Sequence, residues 1–147
     1  MVQIRIGRAE DAPHCAQIAE AAYTPYIADI GRRPMPMDQN FAAACEAGQL
    51  WIAGCGDVLG FVIAFPRSNS WLLENIAVVP THHGKGIGGL LIRHVETLAK
   101  NAGAEAVELY TNAKMAGNLA LYPALGYTET RRAEEAGFSR VFYRKPL

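Results

Sequence analysis

The chain has 147 residues, half of them hydrophobic, with 14 Lys and Arg against 14 Asp and Glu. Because a chain of this length buries about 70% of its unfolded surface, we expect one domain over residues 1–147 that needs no disulfides. The balanced charge excludes a non-specific nucleic-acid binder, and no apolar stretch reaches the roughly 18 residues that cross a membrane.

The spacing of the cysteines and histidines indicates in which cellular compartment the protein works and whether it binds a metal. The three cysteines are odd in number and show no C-x-x-C spacing, which favours a reducing compartment. The four histidines lack metal-ligand spacing, so we expect no metal site. No basic segment followed by an apolar block begins the chain, and we therefore expect a cytoplasmic protein without nucleic-acid or membrane partners. The sequence leaves open whether the chain forms a homodimer.

The first third of the chain predicts one strand and two helices. Residues 2–6 alternate between apolar and polar, which is typical of a half-buried strand. Asp11 before Ala-Pro signals the start of a helix that ends near Tyr23. Residues 24–37 contain too many Pro and Gly for a regular element and are too apolar for a solvated loop. A second short helix is expected from a cap at Asp38 to Gly48.

The rest of the chain predicts a hairpin followed by alternating strands and helices. Gly56 and Asp57 join two apolar runs, Leu50 to Cys55 and Val58 to Phe65, as in a short hairpin. The later predicted elements are a strand from Trp71 to Val79, a helix from Ile87 that Gly103 ends, a strand from Val107 to Thr111, a helix from Ala116 to Leu125, and strands from Tyr127 to Arg132 and from Arg140 to Lys145. The order β-α-α-β-β-β-α-β-α-β-β indicates a mixed α/β domain, a central sheet flanked by helices.

A glycine-rich segment lies between the Trp71 strand and the Ile87 helix. It reads His83-Gly84-Lys85-Gly86-Ile87-Gly88-Gly89. Glycines permit positive φ and close backbone approach, and the unpaired N–H groups of a first helical turn attract anions. A ligand-free turn needs fewer glycines, so the segment favours binding of a pyrophosphate.

Two nucleotide motifs come near this segment and both fail. Gly84, Gly86 and Gly89 satisfy G-x-G-x-x-G, but in a dinucleotide fold the first glycine directly follows the strand and the next strand ends in an acidic residue. Here four residues intervene, and the next predicted strand ends in Thr111 and Asn112. A P-loop needs Ser or Thr directly after its lysine, which the glycine after Lys85 does not supply.

Two segments, ENIAVVPTHHGKGIGGLLIRHVE and NLALYPALGY, resemble the acetyl-coenzyme A segment and the C-terminal segment of the GCN5-related N-acetyltransferases (GNAT). The resemblance extends over essentially the whole chain. It implies acetyl transfer from acetyl-CoA to an amine by direct attack in a ternary complex. It also implies a splayed central sheet, with the cofactor wedged where two parallel strands part.

The resemblance carries over to particular residues. It implies that the backbone of Ile76, Ala77 and Val78 faces the pantetheine and acetyl groups. The segment from His83 to Gly89 would surround the pyrophosphate, with His83 where the family usually has Gln or Arg; its members are His83, Gly84, Lys85, Gly86, Ile87, Gly88 and Gly89. Asn118 would contact the pantetheine arm and Tyr122 would lie near the sulfur.

The spacing of the second segment supports part of this assignment. Asn118, Tyr122 and Leu125 share one helical face, so the amide and the phenol point toward the same place. The alternative for Tyr122 is an ordinary core aromatic whose hydroxyl bonds to a backbone carbonyl. Pro123 removes a backbone donor and is expected to bend this helix.

Glu74 and His94 are the remaining candidates for chemistry. Glu74 shares a strand face with Ile76 and Val78 in an apolar run, where burial disfavours the charged carboxylate and makes it a candidate general base. The alternative is an exposed acid or a partner for Arg67. His94, on the inner face of its helix, is expected to be a histidine at the core edge that is hydrogen-bonded to backbone.

The same resemblance implies where the acceptor amine binds. The broken segment after the first helix would lie over it, with an apolar wall from Tyr23, Tyr26, Ile27, Met35 and Met37. Arg32 and Arg33 would pair with an acceptor carboxylate, which suggests a small amine or amino-acid derivative. The alternative is that both arginines are simply solvated in the loop. A peptide N-acetyltransferase and a non-catalytic acyl-CoA sensor remain alternatives.

Overall fold

The computed structural model describes all 147 residues. Its helices are α1 (Ala12–Tyr23), α2 (Ile27–Ile30), α3 (Phe41–Glu46), α4 (Ile87–Asn101) and α5 (Ala116–Ala124). Its strands are β1 (Gln3–Ile6), β2 (Leu50–Cys55), β3 (Asp57–Arg67), β4 (Ser70–Val78), β5 (Ala106–Asn112), β6 (Thr128–Glu135) and β7 (Phe138–Pro146). No helix is both long enough and apolar enough to cross a bilayer.

The strands form one mixed sheet in the order β1-β2-β3-β4-β5-β7-β6. All pairs with a described register are antiparallel except β4 and β5, which run parallel. The parallel pairing joins Trp71–Leu73 to Val107–Leu109, although β4 continues to Val78. The predicted α/β class with a splayed sheet flanked by helices is therefore confirmed.

The chain divides into two compact units. The first comprises Met1–Ala64 and Asn75–His94, and the second comprises Phe65–Glu74 and Val95–Leu147. In the first unit Phe41 of α3 meets Phe61 of β3 edge to face, with ring centroids 5.0 Å apart. In the second, Val107, Leu109 and Val141 lie in the core of the β5–β7 pair. Each unit thus has its own apolar core.

The segment between α1 and β2 differs from the prediction in two ways. Residues 24–38 contain the one-turn helix α2 and two short 3-10 turns, so the chain has one more helix than expected. The cap of α3 is Asn40, whose side chain accepts a hydrogen bond from Ala43 N–H at 3.0 Å, and not Asp38. Asp38 instead pairs with Arg33 at 3.0 Å. Both residue types cap helices well, so local sequence alone did not distinguish them.

Asp11 precedes α1 as predicted, but its carboxylate does not bond to the first N–H groups of α1. It accepts two hydrogen bonds from Arg5, at 2.7 and 2.9 Å, and one from Arg8 N–H at 2.7 Å. Asp11 is only 4% exposed. The bonds from Arg5, more than the opposing effect of burial, hold the pKa of Asp11 below its ordinary value. The carboxylate therefore ties β1 to the start of α1.

We expect Asp11→Asn to lower the free energy of unfolding at pH 7 by about 1–3 kcal/mol, because charge-assisted hydrogen bonds are lost. The folded pKa lies below the unfolded one, so this stabilisation is complete above the unfolded pKa and disappears as pH falls through the folded pKa. Urea denaturation at pH 7 and at stepwise lower pH measures the difference. Glu10→Gln, a change at the neighbouring exposed carboxylate, serves as the control; a difference that persists unchanged in acid contradicts the assignment.

Candidate functional site

The glycine loop, residues 83–89, follows the end of β4 in the first unit. Gly84 and Gly86 have φ of 78° and 82°, a backbone conformation that residues other than glycine rarely adopt. The hydrogen bond from Leu90 N–H to the Gly86 carbonyl, at 3.1 Å, begins the ladder of α4. The N–H groups of Ile87, Gly88 and Gly89 precede that bond and so have no acceptor within the helix.

Space in front of the loop is open. A Cβ added at Gly84 or Gly86 would meet no atom within 4 Å. Backbone N–H groups at a helix N-terminus next to open space suit the oxygens of a diphosphate, which carry negative charge. The residues present therefore fit the phosphate end of acetyl-CoA.

His83 anchors the start of the loop. Its Nε2 lies 2.8 Å from the Val78 carbonyl, and because a carbonyl only accepts, Nε2 carries the proton. The ring thus bonds to the strand that precedes the loop. Nδ1 is the ring nitrogen left to face a ligand. A phosphate contact from His83 remains a prediction.

Arg93 is a residue of this region that the sequence analysis missed. Its guanidinium Nη1 lies 3.2 Å from where a Cβ on Gly89 would be, so glycine at 89 leaves room for this side chain. Arg93 is exposed, like Lys85. The signal available in the sequence was the i, i+4 spacing from Gly89 on a helix. Two cations thus accompany the first turns of α4.

In the same unit, the end of β4 presents backbone that is already partly engaged. The Ile76 carbonyl accepts a hydrogen bond from the Tyr23 hydroxyl at 2.8 Å, and the Val78 carbonyl accepts the one from His83. Ala77 is buried, whereas Ile76 and Val78 are half-buried. The predicted contact of these three residues with pantetheine stays a prediction.

In the second unit, Asn118 lies in α5, beside the end of β5. Its Nδ2 donates to Thr111 Oγ1 at 3.1 Å, and its amide oxygen has no partner in the chain. Thr111 is buried. The side chain is therefore oriented by β5 and keeps one acceptor available for a ligand.

Tyr122, four residues further along α5, is 4% exposed and lies in an aromatic cluster. Its ring centroid is 6.0 Å from that of Tyr127 and 5.7 Å from that of Tyr143. Its hydroxyl makes no hydrogen bond. The hydroxyl oxygen is also not fully buried, because the one fully buried side-chain nitrogen or oxygen without a partner is His94 Nε2. The alternative of a hydroxyl bonded to a backbone carbonyl is not observed. Burial, and to a lesser degree Tyr143, raises the pKa of Tyr122, so the phenol stays protonated.

A polar network holds the neighbour of Tyr122 in place. The Tyr127 hydroxyl donates to Glu96 Oε2 at 2.8 Å, and Lys145 Nζ donates to Glu96 Oε1 at 3.1 Å. Helix α5 continues through Pro123 to Ala124, and Tyr127 N–H bonds back to the Tyr122 carbonyl at 3.0 Å. The Tyr122 ring therefore packs against a restrained partner.

Glu74 is half-buried on β4 and has no hydrogen-bond or ion-pair partner, Arg67 included. A carboxylate without a partner in the chain is able to accept a proton or orient a ligand. This geometry suits a general base, and the role remains a prediction.

His94 differs from the expectation of a backbone hydrogen bond. Its Nε2 is buried without a partner, and its ring meets Trp51 edge to face with centroids 5.7 Å apart. Burial lowers the pKa of His94, which favours the neutral ring. The aromatic contact, and not a backbone bond, thus sets its position in the first unit.

The acceptor residues predicted from sequence fall into two groups. Tyr23 and Met37 are buried, whereas Tyr26 and Ile27 are half-buried and Met35 is 51% exposed.

The two arginines of this segment are exposed, and Arg33 pairs with two carboxylates. Arg33 bonds to both carboxylate oxygens of Glu20, at 3.0 and 2.9 Å, in addition to Asp38. An acceptor carboxylate at Arg33 would therefore compete with two carboxylates of the chain. Arg32 is the neighbouring exposed arginine.

Comparisons with known proteins show what the chain is similar to. A model of the acetyltransferase (GNAT) family matches residues 15–127. Streptothricin acetyltransferase from Streptomyces lavendulae is 35% identical over 74 residues, 49% of this chain and 39% of that protein. N-acetyltransferase 8F1 from Rattus norvegicus is 31% identical over 90 residues, 56% of this chain and 41% of that protein. The chain thus spans less than half the length of either relative.

Solved structures share the fold. The PaiA N-acetyltransferase from Thermoplasma acidophilum, solved in complex with coenzyme A, superposes with a TM-score of 0.83 at 16% identity, covering 100% of this chain and 99% of that one. Since the family match extends over most of the chain, the chain belongs to the acetyltransferase (GNAT) family.

Proposed function

We propose that this chain is a single acetyl-CoA-dependent N-acetyltransferase domain whose acceptor is the primary amine of a small molecule or amino-acid derivative. The observation that carries the proposal is the glycine loop, with two glycines at positive φ beside the free N–H groups of α4. Membership of the acetyltransferase family supports the same chemistry.

In this proposal the loop from His83 to Gly89 holds the diphosphate of acetyl-CoA. Lys85 and Arg93 add positive charge, and the backbone of residues 76–78 and the amide of Asn118 contact the pantetheine arm. Acetyl-CoA supplies an activated thioester. The chain's own task is to bind and orient both reactants, since holding them in a productive geometry accounts for much of the acceleration in such reactions.

Two side chains are proposed to move protons. Glu74 accepts a proton from the acceptor's ammonium, directly or through water, because only the neutral amine has a lone pair to attack the thioester carbon. As the C–N bond forms and the C–S bond breaks, charge develops on sulfur. The Tyr122 hydroxyl donates its hydrogen to that sulfur, which leaves as the thiol of coenzyme A. The attacking nitrogen gives up its second proton to solvent as the amide forms, and solvent returns a proton to the Tyr122 phenolate.

The acceptor class rests on the segment between α1 and α3. Tyr26, Ile27 and Met35 offer partly exposed apolar surface, and Arg32 supplies an exposed positive charge on the same segment. A compact amine that carries an apolar group and a carboxylate matches this combination.

A coenzyme A release assay tests the function. Purified chain, acetyl-CoA and a panel of primary amines, amino acids and peptides are mixed, and free thiol is measured. Release with small amines supports the proposal. Release only with peptides indicates a peptide N-acetyltransferase, and acetyl-CoA binding without release for any acceptor indicates a non-catalytic sensor.

We expect Glu74→Gln to lower kcat/KM by more than tenfold, about 1.4 kcal/mol of barrier, and to flatten the acidic limb of its pH profile. The amide keeps the shape of the carboxylate but accepts no proton. Profiles for two acceptors with different amine pKa values distinguish the base from the acceptor's own titration. Glu108→Gln, an exposed carboxylate on β5, is the matched control. If the acidic limb follows the pKa of the acceptor amine in both the wild type and Glu74→Gln, and kcat/KM falls by less than tenfold, then Glu74 orients a ligand and is not the base.

A further inference from the structure

Asn75 is a buried polar residue that has no role in the proposed chemistry. It lies on β4 between Glu74 and Ile76, and it is 2% exposed. Its Nδ2 donates to the Pro36 carbonyl at 3.1 Å, and its Oδ1 lies 3.1 Å from the Tyr23 hydroxyl. A buried amide with partners on two other segments connects those segments.

The orientation of the amide follows from its partners. A proline carbonyl only accepts, so the amide nitrogen of Asn75 must face Pro36 and its oxygen must face Tyr23. The Tyr23 hydroxyl has one hydrogen and two acceptors in reach, Asn75 Oδ1 and the Ile76 carbonyl at 2.8 Å. The three groups therefore form one network in which each side chain limits the positions of the others.

The network joins two places that matter for the proposed reaction. Pro36 lies in the 3-10 turn Met35–Asp38 of the proposed acceptor wall. The Ile76 carbonyl belongs to the β4 backbone that is proposed to face the acyl group. Two ion pairs of this segment, from Arg33 to Glu20 and to Asp38, are exposed, where such pairs contribute little to stability. The hydrogen bond from Asn75 to Pro36 comes from a buried side chain, where a lost hydrogen bond costs more.

We propose that Asn75 is a positioning residue that sets residues 34–38, the part of the acceptor wall that contains Met35 and Met37, at a defined place against β4. It acts through the Pro36 carbonyl and, with Tyr23, through the Ile76 carbonyl. The inference rests on the proposed function for its kinetic consequence, but its structural part stands independently of turnover.

Asn75→Leu tests the proposal, because leucine has a similar size and removes both hydrogen bonds. We expect the KM for the acceptor amine to rise about tenfold or more, while kcat at saturating acceptor and the Kd for acetyl-CoA stay within about twofold. Hydrogen exchange measured by mass spectrometry is expected to show faster exchange in residues 34–38, including Met37 N–H, which bonds to the Pro34 carbonyl at 3.1 Å.

Asn40→Ala is the matched control. It removes the cap of α3 a few residues beyond the wall, and such a loss costs about 0.5–2 kcal/mol of stability without touching β4. Tyr23→Phe removes the hydroxyl and leaves the Asn75 to Pro36 bond, so it should raise the acceptor KM less than Asn75→Leu does. Asn75→Ser, whose side chain is too short to span both partners, replaces Asn75→Leu in the same measurements if the leucine variant does not fold.

Three outcomes separate the hypotheses. Unchanged exchange in residues 34–38 of the Asn75 variant overturns the positioning role. Equal increases in acceptor KM for the Asn75 and Asn40 variants also overturn it, since general destabilisation then explains the effect. Wild-type chain that acetylates no acceptor overturns the proposed function instead, and the exchange experiment still decides whether Asn75 holds the wall.

Discussion

Tyr122→Phe is expected to lower kcat by about 10²–10⁴-fold, the usual range for a general acid, and to leave the Kd for acetyl-CoA within about twofold. The hydroxyl has no hydrogen-bond partner in the chain, so its removal breaks no hydrogen bond of the folded protein. The interaction with sulfur strengthens only as charge develops there, which is why kcat and not binding should respond. Pre-steady-state and steady-state kinetics with a calorimetric Kd measure the two effects.

The raised pKa of Tyr122 makes this prediction more specific. A phenol held protonated by burial donates a hydrogen bond at any physiological pH, so the loss in Tyr122→Phe should be constant between about pH 6 and 9. Tyr143→Phe, which removes a phenol from the same aromatic cluster, is the matched control. If both variants lose activity equally, packing of the cluster and not the Tyr122 hydroxyl is responsible.

Gly86→Leu is expected to weaken acetyl-CoA binding by about 10²-fold or more. The side chain would enter the open space where the diphosphate is proposed to lie, and each charge-assisted hydrogen bond lost there is worth about 1.5–3 kcal/mol. Thermal stabilisation by acetyl-CoA, which rises with ligand concentration, should disappear in the variant. Differential scanning fluorimetry across an acetyl-CoA titration measures it.

Strain at Gly86 must be separated from lost binding, and the chain offers a control. Gly103 follows α4 with φ of 81° and has nothing within 4 Å of an added Cβ, so Gly103→Leu carries the same backbone strain away from the loop. We expect it to lower the melting temperature and to leave the acetyl-CoA Kd unchanged. Wild-type affinity in a folded Gly86→Leu variant would place the cofactor elsewhere.

Local patterns predicted most of the elements because they depend on residues close in sequence. Helix α4 begins at Ile87 as predicted and ends two residues before Gly103, whose positive φ stops a helix wherever it lies. The hairpin at Gly56 was visible for the same reason. Glycine at positions 84 and 86 permits the positive φ that the loop adopts, and this residue type is readable from the sequence, which is why the loop was recognised as a candidate anion site before the fold was known.

What the sequence by itself determined is therefore the order of strands and helices, the glycine loop and the acetyltransferase resemblance. Only the tertiary structure decided which polar groups meet. Asn75 pairs with Pro36 and Tyr23, 39 and 52 residues away, and periodicity along one strand reports which face a residue occupies but not its partner. Likewise Asp38 looked like a helix cap until the fold placed it beside Arg33. Contacts of this kind depend on how the whole chain packs, because a hydrogen bond forms only between groups that the fold brings within about 3 Å.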